Sequence, residues 1–279
     1  MLTPDNGTGT QLCEVRYRGP EGANTFPFSV PSIASLDRLV LDARVTVFVG
    51  ENGTGKSTLL EALAIACSLP AVGASRIDSD HTLAAQRDLA AKLHLTWRGR
   101  SHRGFFLRAE DFFGFQRQIT RARAEHHAEL ARIDVEMADA SEFARGLAKG
   151  PHRASIGAYE QRYGADPDAK SHGEAFLNLF AQRLSPNGLF LLDEPEAALS
   201  PQSQLGFMAM IRDALASGSQ FIIATHSPLL MAIPGAATYS FDELPVRRVD
   251  FDELESVALV RDFLQAPERY LRQIWIDEE

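Results

Sequence analysis

Cysteine is scarce. The 279-residue chain has two, Cys13 and Cys67, far apart and without a ligand-spaced partner. That excludes a disulfide framework and a cysteine-based zinc site, and it suits a reducing, cytoplasmic setting. Long apolar runs are also missing: the greasiest stretch, residues 59–72, contains Glu61 and Pro70 and is too short to span a bilayer. No basic segment followed by an apolar run opens the chain, so no signal peptide is expected. Positive charge is in deficit, with 28 Lys and Arg against 37 Asp and Glu, a net −9. Such a balance argues against wholesale coating of nucleic acid. The deficit is uneven, however. Between Arg98 and Arg132, eight arginines meet four acids, so that stretch is +4 and the remainder −13.

What is present is an ordinary globular balance, 45% hydrophobic and 23% charged, enough to bury a sizeable core without staples. Residues 1–11 read as a loose polar tail. Cys13, Val15 and Tyr17 alternate with polar residues, as a half-buried strand does, and residues 26–30 read as a second strand after a Gly-Pro turn. Residues 45–49 are nearly all apolar or β-branched, the pattern of a strand covered on both faces. A Gly-rich loop and a helix over about residues 56–68 follow. Residues 93–97 and 104–107 read as strands. Ile119, Ala122, His126, Leu130, Ile133 and Met137 step by three or four, which predicts a long helix with one narrow apolar stripe. Residues 151–168, with several Gly and Pro, read as a loop region. Then come a helix from Gly173, a strand at 189–192, a helix from Pro201 and a strand at 221–224. This alternation predicts one α/β domain over residues 1–279: a mostly parallel central sheet, an N-terminal antiparallel β subdomain, and a helical lobe inserted at about 110–170.

Residues 50–58, Gly-Glu-Asn-Gly-Thr-Gly-Lys-Ser-Thr, fit the phosphate-binding pattern G-x-x-x-x-G-K-[ST]. Side chains would hold a phosphate at a distance, whereas glycines let backbone N–H groups wrap it and the following helix presents its positive end. Gly50, Asn52, Gly53, Thr54, Gly55, Lys56, Ser57 and Thr58 are therefore the expected ATP-binding residues. Lys56 would face the β/γ oxygens and Ser57 would ligate Mg2+. Residues 189–195, Leu-Phe-Leu-Leu-Asp-Glu-Pro, are a buried strand ending in two carboxylates. Asp193 is expected to hold the Mg2+ shell and Glu194 to deprotonate the attacking water. Residues 221–227 repeat the plan, an apolar strand ending in His226, which would donate to the γ-phosphate and fix the water.

In this order, the P-loop, the Asp-Glu pair and the strand-end His resemble the ATP-binding-cassette (ABC) ATPase domain. Ala198-Leu199-Ser200-Pro201 occupies that family's D-loop, and Ser171-His172-Gly173-Glu174 sits where its signature motif belongs. The Ser/Gly/Glu form is more similar to chromosome-maintenance and break-repair ATPases than to transporter subunits. Ser171 and Glu174 also form a capping box, and both readings hold together. More narrowly, the 104–110, 193–201 and 267–271 phrases resemble compact bacterial AAA-family ATPases without a coiled coil, which have a suspected link to antiphage defence.

The resemblance implies a homodimer closed on ATP, with Ser171 and Gly173 of one subunit over the other's nucleotide. It implies a Q-loop residue before the helical lobe; Glu110 takes that metal or water contact, with Gln116 the alternative. Phe26 or Phe28 could stack on adenine, although core packing is the more ordinary use of both. Three roles stay open: a dimer acting on nucleic acid through the Arg-rich lobe or on a defence partner, a transporter's detachable ATPase subunit, and a low-turnover switch that binds a protein.

Overall fold

A computed structural model describes residues 11–20, 22–72, 83–163 and 172–275. In chain order the first half holds β1 (Gln11–Tyr17), α1 (Pro31–Ala34), β2 (Arg38–Val40), β3 (Val45–Val49), α2 (Lys56–Ala66), α3 (Ala84–Ala90), β4 (Leu93–Gly99), β5 (Gly104–Arg108), α4 (Ala109–Glu136) and α5 (Glu142–Tyr163). The second half holds α6 (His172–Arg183), β6 (Leu189–Asp193), α7 (Pro201–Ala216), β7 (Gln220–Ala224), α8 (Pro228–Met231), β8 (Ala237–Ser240), β9 (Arg247–Val249), α9 (Glu255–Gln265) and α10 (Pro267–Ile274).

The central sheet runs β5-β6-β7-β3-β8-β9 and is parallel except for the edge strand β9. Every residue of β3, β6 and β7 is buried, which explains their unbroken apolar runs. β5 can lie against β6 at its start only because residue 104 is glycine: φ is +125°, and a Cβ there would fall 1.8 Å from the Leu189 carbonyl oxygen. A separate antiparallel sheet, β2-β1-β4, sits at the N-terminal side. Buried Gln220 bridges the two sheets by accepting from the Leu12 N–H at 2.8 Å and donating to its carbonyl at 2.9 Å.

Two cores flank the central sheet. One joins α2 and α3 to the antiparallel sheet through Leu12, Leu39, Leu60 and Leu63. The other is aromatic: Phe176 and Phe180 from α6, Phe207 from α7, Phe190 and Phe221 from the sheet. Phe180 lies 4.7 Å from Phe207 and Phe190 lies 5.0 Å from Phe221 between ring centres. Pairs at these spacings stabilise beyond their area burial by about 0.5–1.5 kcal/mol each.

Two sequence expectations are corrected. Residues 26–30 are a turn, closed by Ser29 N–H to Thr25 O and Val30 N–H to Pro27 O, because Pro27 has no ladder donor; the second strand is the shorter β2. Helix α5 runs through Pro151 to Tyr163, where a loop was expected. An interior proline costs about 3 kcal/mol. Packing of α5 on α4 offsets it, through buried Ile119 and Ile156 and the ion pairs Lys149–Asp134 and Arg123–Glu160.

Candidate functional site

Strands β6, β7 and β3 are neighbours in that order, so the loops after them open side by side on one edge of the sheet. Carboxyl ends of parallel strands are where open α/β sheets bind ligands. The β3 loop carries residues 50–55, the β6 loop Glu194, and the β7 loop His226.

Helix α2 begins at Lys56, and its N-terminal N–H groups receive no side-chain cap. A helix start of this kind offers free donors and a positive dipole end to an anion. The cap position is Gly55, at φ +98°, where a Cβ would meet Ser32 Oγ at 2.6 Å and Val30 Cγ1 at 2.8 Å. Only glycine satisfies both the left-handed backbone and this close approach. The buttress is the segment before β2, and buried Ser32 also donates to the Thr54 carbonyl. On the opposite side, Asp242 Oδ1 accepts from the Glu51 N–H at 2.6 Å. Asn52 and Gly53 are exposed, Thr54 Oγ1 donates to Glu51 O at 2.8 Å, and Thr58 is half-buried in the first turn of α2.

Lys56 is buried and donates from Nζ to the Gly50 and Glu51 carbonyls at 2.6 and 2.8 Å. Burial holds its pKa below the usual lysine value, against the pull of Glu194, Asp242, Asp193 and Glu51. Ser57 Oγ donates to Asp193 Oδ1 at 3.0 Å. Burial pushes the Asp193 carboxyl up to about 7, reinforced by Glu61 and Glu194 and opposed by the Ser57 hydrogen bond and Arg108. The buried Lys56 ammonium, hydrogen-bonded to backbone carbonyls, suits an anion, and the buried Asp193 carboxyl suits a cation. A Mg2+-triphosphate fits both, with Ser57 and Asp193 as the residues that would hold the metal.

Ser57, Glu61, Arg108, Glu110, Asp193 and Glu194 line one cavity of about 300 Å³. Glu110, exposed in the first turn of α4, thus stands with the acid pair, whereas Gln116 does not line this cavity. Glu194 adopts a left-handed backbone, φ +48°, at the start of a short 3-10 turn over Pro195–Ala198. A non-glycine residue there costs about 1–3 kcal/mol, and such strain concentrates at functional sites. His226 Nε2 lies 3.6 Å from Glu194 Oε1. Both side chains are open enough for water to reach, at 38% and 44% exposure.

Two carboxylates escaped the sequence reading, Glu61 and Glu196. Glu61, one turn beyond Ser57 on α2, is buried with its pKa raised by desolvation, and Arg108 Nη1 pairs with it at 3.2 Å. Its spacing from Ser57 puts it on the same helix face, the one signal that marked it. Glu196 binds the His226 backbone, as developed below. Gly173 is buried at the start of α6 against the D-loop stretch, where a Cβ would lie 3.5 Å from Ala198 O and 3.1 Å from Ser203 Oγ. Ser171 lies outside the described residues. Phe28 packs beside Tyr17 at the edge of the core, but Phe26 is 55% exposed, which corrects its reading as a core aromatic. Among the arginines of the basic stretch, Arg108, Arg121, Arg123 and Arg132 pair with carboxylates.

Comparisons with known proteins cover the same motifs. A family model described as "AAA domain" matches residues 29–110, which hold the P-loop. A second, described as "AAA domain, putative AbiEii toxin, Type IV TA system", matches residues 175–232, which hold the acid pair and His226. The macrolide export ATP-binding/permease protein MacB of Hahella chejuensis is 29% identical over 212 residues, 73% of this chain and 29% of that protein. MacB of Photorhabdus laumondii is 28% identical over 214 residues, 75% of this chain and 30% of that protein. The chain therefore spans less than a third of the length of these curated relatives. A solved Smc head domain from Pyrococcus furiosus aligns with a TM-score of 0.43 at 12% identity, covering 91% of this chain and 100% of that one. The motif order and the matched segments support a P-loop domain of the ABC ATPase type. Among the described residues, no helix is long and apolar enough to cross a membrane.

Proposed function

We propose that this chain hydrolyses Mg-ATP at the β3/β6/β7 edge and closes as a homodimer to do so. The carrying observation is the convergence of Lys56, Ser57, Asp193, Glu194 and His226 on one sheet edge around an uncapped helix start. Bound Mg2+ supplies charge neutralisation for the phosphates. Lys56 leaves the Gly50 and Glu51 carbonyls to face the β/γ oxygens, and the N–H groups of residues 53–58 bind the phosphate chain. Glu194 takes the proton of the attacking water, and His226, within reach of Glu194, keeps that water in line. Ser171 and Gly173 of the second copy cover the nucleotide. Phe26, exposed four residues before the Val30 contact with Gly55, offers a ring face for adenine.

For the driven process, we favour a protein partner in a defence setting, supported by the toxin-system description of the matching family model. The pairing of four arginines with acids weighs against the Arg-rich lobe as a free phosphate-binding face. A second reading, the ATPase of an exporter, is favoured by the similarity to the MacB ATP-binding/permease proteins. The test of the chemistry is phosphate release from ATP with and without Mg2+. Turnover that requires Mg2+ and vanishes in Lys56→Ala is expected, and Mg2+-independent turnover, or turnover surviving that substitution, refutes the proposal.

A further inference from the structure

We propose that Glu196 is a positioning residue for hydrolysis: by accepting the His226 backbone N–H, its carboxylate sets where the imidazole stands relative to Glu194. The inference rests on the reading of Glu194 and His226 given above. The last ladder bonds at this edge are Glu194 N–H to Ala224 O at 2.9 Å and Thr225 N–H to Phe48 O at 3.2 Å. One residue further, His226 has left the sheet, and its N–H is taken by Glu196 Oε1 at 2.6 Å. An anionic acceptor at this distance makes a stronger bond than a neutral carbonyl would.

The donor side is held on its other flank too. Ser227 Oγ donates to buried Gln204 Oε1 at 2.5 Å, and Ser227 caps α8 by accepting from Leu230 N–H. Gln204 in turn donates to Leu199 O at 3.3 Å, so α7 fixes the residue after His226 as Glu196 fixes His226 itself. The acceptor side is equally constrained. The turn after Glu194 is closed by Ala197 N–H to Glu194 O at 3.0 Å and Leu199 N–H to Glu196 O at 2.9 Å, which presents Glu196 toward β7. The result is a closed circuit: Glu194, the turn to Glu196, the His226 backbone, and the imidazole back to Glu194 at 3.6 Å. The other carboxylate oxygen, Oε2, is buried and has no hydrogen-bond partner among the described residues. A buried polar atom left unpaired is uncommon, and the carboxylate keeps this geometry while Oε1 accepts from His226.

The experiment measures kcat, KM and ATP affinity for Glu196→Ala, Glu196→Gln, His226→Ala and the Glu196→Ala/His226→Ala double variant. Glu196→Ala should lower kcat about tenfold, the worth of one charge-assisted hydrogen bond, with KM and affinity within about twofold. Glu196→Gln keeps an acceptor oxygen and should restore most of that loss. In the His226→Ala background, adding Glu196→Ala should change nothing further, because the residue acts through the histidine. Additive losses in the double variant, or Gln as damaging as Ala, overturn the proposal. So does a rise in KM at unchanged kcat. If His226→Ala alone leaves kcat intact, the reading of His226 fails and this inference with it; a loss in His226→Ala but none in Glu196→Ala sinks the inference only.

Discussion

Replacing Asp193 by Asn should stabilise the metal-free protein, and by an amount that depends on pH. The carboxyl is buried and titrates at about 7, against 3.8 for the free side chain. The folded state therefore binds the proton more tightly than the unfolded chain between about pH 4 and 7. Stability falls as pH rises through that window, because the unfolded chain ionises first and the folded site must then bear a buried charge. A difference of about three pKa units, at about 1.4 kcal/mol each, gives about 4 kcal/mol lost above pH 7 and little of it at pH 4. Asn keeps the shape and an oxygen that accepts from Ser57, without the charge. Urea unfolding of both proteins, without Mg2+ or nucleotide, should show Asp193→Asn more stable by a few kcal/mol at pH 8 and nearly equal at pH 4. Adding Mg-ATP should narrow the gap at pH 8 by stabilising the wild type more, since Asp193 is the anion proposed to hold the metal. A gap of equal size at both pH values, or a destabilised Asn variant at pH 8, would refute the reasoning.

Phe26→Ala should raise KM for ATP about tenfold with kcat within about twofold, as loss of one base-stacking contact does; an unchanged KM moves the adenine elsewhere. Mixing Lys56→Ala with Ser171→Arg subunits leaves one composite site intact in a mixed dimer, so activity absent from either alone should partly return. No recovery at any ratio counts against a site shared between copies. Fluorescence anisotropy with duplex and single-stranded probes should show no ATP-dependent binding that weakens steeply with salt. Steep salt dependence lost on removing Arg121 and Arg123 would make nucleic acid the partner.

The candidate site was legible because the chemistry proposed for it needs contiguous residues. A phosphate wrapped by backbone requires glycines at set spacing before Lys56, and Asp193 and Glu194 follow an apolar run that can only be a covered strand. The same logic failed wherever a contact joins distant residues. Nothing local links Arg108 to Glu61 or Glu196 to His226, which are 47 and 30 positions apart; the first pair meets because β5 ends over the face of α2, the second because β6 and β7 are neighbours. Residues 26–30 carried strand-like side chains, but Pro27 removed the donor a ladder needs. Pro151 was misleading in the other direction, since tertiary packing on α4 outweighed a local helix breaker. Strands β8 and β9 and helices α9 and α10 went unread: the strands are short, and the helices leave much of their apolar surface exposed, as at Leu264 and Ile274.

Glu194→Gln keeps the size of the side chain and removes the proposed base. Its ATP affinity and its phosphate release, measured on the same preparation with light scattering in ATP, test the proposed hydrolysis most directly. Affinity should stay within a few-fold of wild type, turnover should fall at least about a hundredfold, the range general-base catalysis supplies, and the protein should accumulate as a dimer. Turnover within about threefold of wild type, with the protein monomeric in saturating ATP, would contradict Glu194 as the base and the ATP-closed dimer together.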